Sequence, residues 1–216
     1  MSESAGLSDT LGVAVEGAKS LVANADAVGI SMTHHKRKID TPAATDVACR
    51  RGDEMQYELG EGPCLQSIYQ QETVRSSDLR TEQRWPTWSS RVADELGFRS
   101  MLCCQLFVTH DALGALNFYS RQPDGFDSDD EATALAVAAH VAVALSAARE
   151  FESLKSAVAS RTVIGRAEGM LMQRYRLNPQ QAFAVLARES QAGNRRLRDV
   201  AEDIVRNGIP DADPTS

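Results

Sequence analysis

The side chains best placed to do chemistry cluster near the C-terminus. Between residues 155 and 209 stand Lys155, Arg161, Arg166, Arg174, Arg176, Arg188, Arg195, Arg196, Arg198 and Arg206. These ten basic residues face five acids, Glu168, Glu189, Asp199, Glu202 and Asp203, for a net +5. The 216-residue chain as a whole carries −7; with Asp211 and Asp213 set aside, residues 1–154 carry −10. A basic segment on an acidic chain is the asymmetry of a local nucleic-acid contact, because general polyanion affinity would need a basic protein. The planar guanidinium serves that purpose well, since it bonds phosphate in a fork and stacks on flat rings. The plainer reading of a bare charge run is a solvated helix face.

Other reactive groups assemble less well. The four cysteines, Cys49, Cys64, Cys103 and Cys104, form no CxxC pair and are expected as reduced thiols of a cytoplasmic protein. Cys64 follows Gly62-Pro63 at an expected helix start, where the dipole lowers a thiol pKa, so it is the best redox candidate against the alternative of a buried, inert cysteine. His34 and His35 are adjacent, so on a strand they would point to opposite faces, and no third ligand stands at metal-site spacing. Arg84-Trp85-Pro86-Thr87-Trp88 could line a pocket or pack a loop on a sheet. No phosphate loop, dinucleotide fingerprint, GxSxG or HExxH occurs, and nothing brings together a nucleophile, a base and an orienting group. The chain reads as non-enzymatic. No run of about 18 apolar residues and no signal-peptide pattern are expected to place it in a membrane or export it. Whether a cofactor is bound is left open by the sequence.

The basic residues sit on three expected helices. Ile164, Ala167, Leu171 and Met172 form one apolar stripe; Ala182, Phe183, Leu186 and Ala187 a second; Leu197, Val200, Ala201, Ile204 and Val205 a third. Asn178-Pro179 supplies a cap and a first-turn proline, Gly193 a left-handed stop, Asn194 the next cap, and Gly208 with Pro210 the end. Three one-faced helices must pack on one another.

Upstream, residues 8–23 read as an amphipathic helix capped by Ser8, with Leu11, Val15, Ala18, Leu21 and Val22 on one face. Strands are expected at 27–32, 44–49, 73–75, 100–109 and 112–120, the last two joined by His110-Asp111 as a hairpin. Short helices are expected at 53–59, from Cys64 and from Trp85. Such an order is α+β with a mainly antiparallel sheet. Ser128 and Glu131 have capping-box spacing. From there to Tyr175 only Gly165 and Gly169 interrupt a helix of about 45 residues at 1.5 Å per residue. Val141, Leu145, Ala148, Phe151, Leu154 and Val158 give it coiled-coil-like spacing and a parallel homodimer reading, unless the stripe packs on its own domain.

Two resemblances give these elements a context. The run from Arg161 through AEGMLM (Ala167–Met172), Ala182-Phe183, Leu186, Ser190, Asn194, Leu197, Asp199-Val200-Ala201 and Ile204 resembles an ANTAR domain, the RNA-binding module of bacterial antiterminators. Glu168 departs from the Lys or Gln of many members, which weighs against a phosphate contact there. LGEGPCLQSI, VRSSDLRTEQRWP, ELGFRSMLCCQLF, LGALNFYS and the trailing FDSDDEATALAVAAHVAVAL resemble a GAF sensor domain, and the pattern is similar to actinobacterial GAF–ANTAR proteins. The implied organisation is a GAF domain at 8–148, a helical connector at 149–160 and an ANTAR domain at 161–209. The Asn-Lys pair of cyclic-nucleotide-binding GAF domains is broken here, since Phe118 follows Asn117. Phe126 is expected to pack, and Asp130 and Glu131 to complement the helix dipole.

The implied function is recognition of paired hairpins in leader transcripts, preventing a terminator from forming, under control of a GAF domain with an unidentified small ligand. RNA recognition of this kind favours unpaired loop bases. Arg161, Arg166, Gly169, Gln173, Arg188, Ser190, Asn194, Arg195, Arg196 and Arg198 are the candidate contacts. Gly169 could instead serve helix packing, and Asn194 could be only a cap. The rival readings are a ligand or redox signalling module whose helical tail docks on a protein, and DNA binding by the three-helix bundle.

Overall fold

The computed structural model describes residues 5–34, 38–70, 72–108 and 111–209. The chain forms two compact units that divide between Glu150 and Phe151. The first holds α1 (Ala5–Leu21), β1 (Ala27–Thr33), β2 (Ile39–Ala44), α2 (Val47–Leu59), α3 (Pro63–Gln70), β3 (Val74–Ser76) and α4 (Pro86–Arg91). A π-helical turn, Val92–Leu96, continues α4, and β4 (Ser100–Val108) and β5 (Asp111–Ser120) follow. The helix α5 (Ser128–Tyr175) runs through the division, and α6 (Pro179–Ala192) and α7 (Leu197–Asn207) complete the second unit.

The α+β expectation holds: one five-stranded sheet in the order β2-β1-β5-β4-β3, with every neighbouring pair antiparallel. Successive strand residues face opposite sides. Leu102, Cys104, Leu106, Leu116 and Phe118 therefore meet α1 and the first turns of α5 through Leu11, Val15, Ala138 and Leu145. Met101, Cys103, Ala115 and Tyr119 meet α2, α3 and α4 through Met55, Cys64, Ile68 and Trp88. Both faces are covered, which is why β4 reads as a near-continuous apolar run, broken only by Gln105 after Ser100, rather than an alternating one.

Several local expectations change. The strand expected at 44–49 is the end of β2 followed by α2, because the Asp46 carboxylate accepts from the Ala48 N–H and starts a helix there. The short helix expected at 53–59 is the second half of α2; Gly60 ends it at φ 69°. Ser8 lies inside α1 rather than capping it, and Leu21 is exposed. The cap of α5 is Asp127, not Ser128. Its Oδ1 accepts from the N–H groups of Asp129 and Asp130, while Asp130 Oδ2 accepts from the Asp127 N–H. Glu61, within the LGEGPC stretch, accepts from the N–H groups of Thr87 and Trp88 and so caps α4 from a distant loop. Trp85 and Trp88 are buried, with Trp88 Nε1 donating to the Gly52 carbonyl at 2.9 Å, so these aromatics pack in the core, where Trp88 ties α4 to α2. Of the expected His110-Asp111 turn, Asp111 begins β5 and His110 lies outside the described residues, as do Thr109 of the expected strand and His35. By length and composition, one stretch of α5 is apolar enough to cross a membrane. This departs from the sequence reading, but Ala134, Ala138, Val141, Ala142 and Leu145 of that helix are buried in the first unit's core.

Candidate nucleic-acid interface

The second unit is a three-helix bundle. Ala167 and Leu171 of α5, Ala182 and Leu186 of α6, and Val200, Ala201 and Ile204 of α7 are buried together, as the three stripes require. Phe183 is exposed, and Val185 packs against this core in its place. Asn178 caps α6 in a complete capping box with Gln181, and Pro179 follows at the first helical position.

The α6–α7 turn is built differently from the expectation. Gly193 is right-handed at φ −87°, and Asn194 takes the left-handed conformation at φ 46°. An Asn tolerates that region better than most residues. Ser190 closes the turn: its hydroxyl donates to the Arg195 carbonyl at 2.6 Å, and the Arg195 N–H donates to the Ser190 carbonyl at 2.9 Å. The residue at the N-cap of α7 is Arg196, without a side-chain cap, so Asn194 is a turn residue and not the cap. Ser190 and Asn194 thus have structural work in the free protein.

The arginines separate by their partners. Arg195 pairs with Asp203, Arg196 with Asp199 at 3.0 Å and Arg198 with Glu202 at 2.7 Å. Arg161, Arg166 and Arg188 are exposed and make no ion pair among the described residues. Arg166, Gly169 and Gln173 lie three and four residues apart, on one exposed stripe of α5 away from Ala167 and Leu171. A Cβ added at Gly169 would meet nothing within 4 Å, so no packing within the chain requires a glycine there.

The candidate dimerisation stripe divides in two. Val141 and Leu145 are buried in the core of the first unit, which corrects their reading as partner-facing residues. Ala148 is half-buried. Phe151, Leu154 and Val158 are 66%, 60% and 66% exposed, an apolar strip left uncovered among the described residues.

The first unit holds a polar cluster that the sequence did not announce. Asp53 is fully buried on α2, in space left by Gly29, where an added Cβ would stand 2.8 Å from Asp53 Oδ2. Its Oδ1 accepts from Tyr119 OH at 2.6 Å and Asn117 Nδ2 at 3.0 Å, and its Oδ2 accepts from Thr41 Oγ1 at 3.0 Å. Asn117 Nδ2 also donates to Ser31 Oγ at 2.8 Å, and Tyr57 OH lies 2.5 Å from Ser31 Oγ and 2.7 Å from Thr41 Oγ1. Asn117 Oδ1 is buried without a hydrogen-bond partner among the described residues. Burial pushes the Asp53 carboxyl up to about 6, held back by the bonds from Tyr119, Asn117 and Thr41. The one sequence signal was positional: Cys49, Asp53 and Gln56 recur at helical spacing on the face of α2 that meets the sheet. Thr41 and Tyr57 also line a cleft of about 360 Å³ between β2 and α2, shared with Ile39, Asp40, Pro42, Arg50 and Glu54.

Cys64 does not have the expected reactive thiolate. Burial and the charge of Asp53 push its thiol up to about 12, outweighing the helix start, and the thiol donates to Ser31 Oγ at 3.1 Å. Burial likewise raises Cys49, Cys103 and Cys104. Phe126 is buried as a packing residue. His34 pairs with Asp40 at 2.8 Å, and His140 is exposed on α5. Among the described residues no group of three His, Cys, Asp or Glu side chains is placed to hold a metal ion.

Residues 4–146 match the GAF domain family and residues 152–205 match the ANTAR domain. Both matched domains are of the signalling and regulatory kind. The chain belongs to the GAF domain family and carries an ANTAR domain after it. Comparison with curated proteins gave no match. Among solved structures, the GAF3 domain of a Synechocystis protein in its photoproduct state is 15% identical, with TM-score 0.55 over 68% of this chain and 98% of that one. The free methionine-R-sulfoxide reductase of Neisseria meningitidis, solved with its substrate, is 18% identical, with TM-score 0.53 over 67% and 80%. The type II enzyme of Thermoplasma acidophilum is 16% identical, with TM-score 0.51 over 64% and 92%. At these identities the likeness is one of fold.

Proposed function

We propose that this protein is a non-enzymatic, cytoplasmic RNA-binding regulator of transcription antitermination. Its ANTAR bundle recognises hairpin loops in leader transcripts, and its GAF domain gates that output in response to a small molecule. The observation that carries the reading is the ANTAR match over a compact bundle whose exposed Arg161, Arg166 and Arg188 have no carboxylate partner among the described residues. Uncompensated guanidinium groups gain most from phosphate, because no internal ion pair has to be given up. A homodimer joined along Phe151, Leu154 and Val158 would present two bundles to two hairpins and cover an exposed apolar strip. On the input side, the cleft at Thr41, Arg50 and Tyr57 opens next to the buried Asp53 cluster, so a ligand there would act directly on the layer between sheet and helices.

The test is a competition assay on the full chain. Labelled RNA, selected from a pool of tandem hairpins with randomised loops, is displaced by scrambled RNA, by duplex DNA or by itself. The reading expects self-competition at least tenfold more effective than either alternative. Equal displacement by duplex DNA, or selection that enriches no RNA, contradicts it.

A further inference from the structure

The three helices of the second unit do not close completely. Between them lies a cavity of about 890 Å³ with Leu171, Val185 and Ile204 among its apolar walls and Tyr175, Arg188 and Asp203 among its polar margin. That volume is in the range of small-molecule pockets. A backbone phosphate can be met by guanidinium groups on an open surface, with no apolar wall. An apolar-walled hollow with an aromatic ring and a planar cation at its margin has the chemistry that holds the flat face of a base. The margin carries both signs. Arg188 offers donors and has no ion-pair partner among the described residues, whereas Asp203 is engaged by Arg195 through Oδ2. Carboxylates repel phosphate but accept from the exocyclic amino group of a base.

We propose that this cavity receives one unpaired base of the bound RNA loop, one bearing an exocyclic amino group, with Arg188 and Tyr175 against the base and Arg166 of α5 left to phosphate. The inference rests on the RNA-binding reading above. It assigns a base-reading role to Arg188 and adds Tyr175 and Val185, which no sequence pattern had singled out.

The experiment uses the full chain and the RNA selected from the tandem-hairpin pool. Val185→Phe pushes a bulky ring into the cavity wall without changing charge, and Arg188→Lys keeps the charge but loses the plane, at an exposed position where folding is not at stake. With the wild type, replacing each loop base in turn by uracil is expected to cost about tenfold or more at one position, the magnitude of losing one base-edge contact. Both variants are expected to bind the parent RNA about tenfold more weakly, to lose that single-position penalty and to keep the wild-type salt slope. Wild-type affinity together with an undiminished uracil penalty in both variants overturns the inference and leaves the RNA reading intact. A wild type that enriches no RNA removes both. A change in the molar mass of the free protein caused by Val185→Phe assigns the cavity to a protein interface and also overturns the inference.

Discussion

Asp53 sits in the core of the first unit with three hydrogen-bond donors and no cation among its bonded partners. Its folded pKa is raised from 3.8 to about 6, so the fold prefers the protonated form. The stability linked to this group is fully present below about pH 4 and is lost as pH rises through about 6, on the order of 3 kcal/mol across the window. Asp53→Asn, which keeps one acceptor and can donate to Thr41, is expected to flatten the dependence of melting temperature on pH between 4 and 7. An unchanged profile would mean that another group titrates. The cysteines make a second residue-scale test. With all four buried and Cys64 pushed up to about 12, iodoacetamide at pH 8 is expected to leave the folded protein unmodified by mass spectrometry and to label four sites after unfolding. At this scale the sequence was least legible. A helix start at Cys64 is visible in the string of residues, but the burial that outweighs it is set by strands 30 to 50 residues away. Asp53 reads as one more surface acid until Gly29, on a different element, is seen to leave room for it.

At the scale of elements, α5 serves both units in turn. Val141 and Leu145 belong to the first core, and uncovering either would cost roughly 1.5–3 kcal/mol. A partner helix is therefore left with Phe151, Leu154 and Val158. The double change Leu154→Asp and Val158→Asp is expected to convert a dimer to a monomer by light scattering while lowering the dilute-protein melting temperature little, because neither side chain is buried within the chain. A wild type that is already monomeric would contradict the dimer. Asp127→Ala is expected to cost about 1 kcal/mol in denaturant unfolding, as loss of a cap does, whereas Ser128→Ala should change little. Long periodic elements were legible: α5, the hairpin strands and all three C-terminal helices follow from their spacing. Short ones were not. Ala44–Cys49 has the composition of a strand, and only the cap at Asp46 makes its second half a helix. The α6–α7 turn was misplaced by one residue because Gly193 is the usual left-handed residue, while the Ser190 clasp puts Asn194 there instead.

For the whole molecule, the division of charge, −10 over residues 1–154 against +5 over 155–209, confines any attraction for RNA to the C-terminal module. Affinity is expected to fall steeply with salt. Arg161→Ala with Arg166→Ala should weaken binding about tenfold and reduce the salt slope by about one for each phosphate no longer neutralised, read by fluorescence anisotropy. Arg196→Ala should do less, since Arg196 already pairs with Asp199. The measurement closest to the central claim is crosslinking of the full chain to RNA in living cells, followed by sequencing, with an Arg161→Ala, Arg166→Ala, Arg188→Ala variant as control. The account predicts reads concentrated on leader segments that hold two neighbouring hairpins ahead of a terminator, and depleted in the variant. Reads scattered over transcripts, or equal for protein and variant, would contradict it.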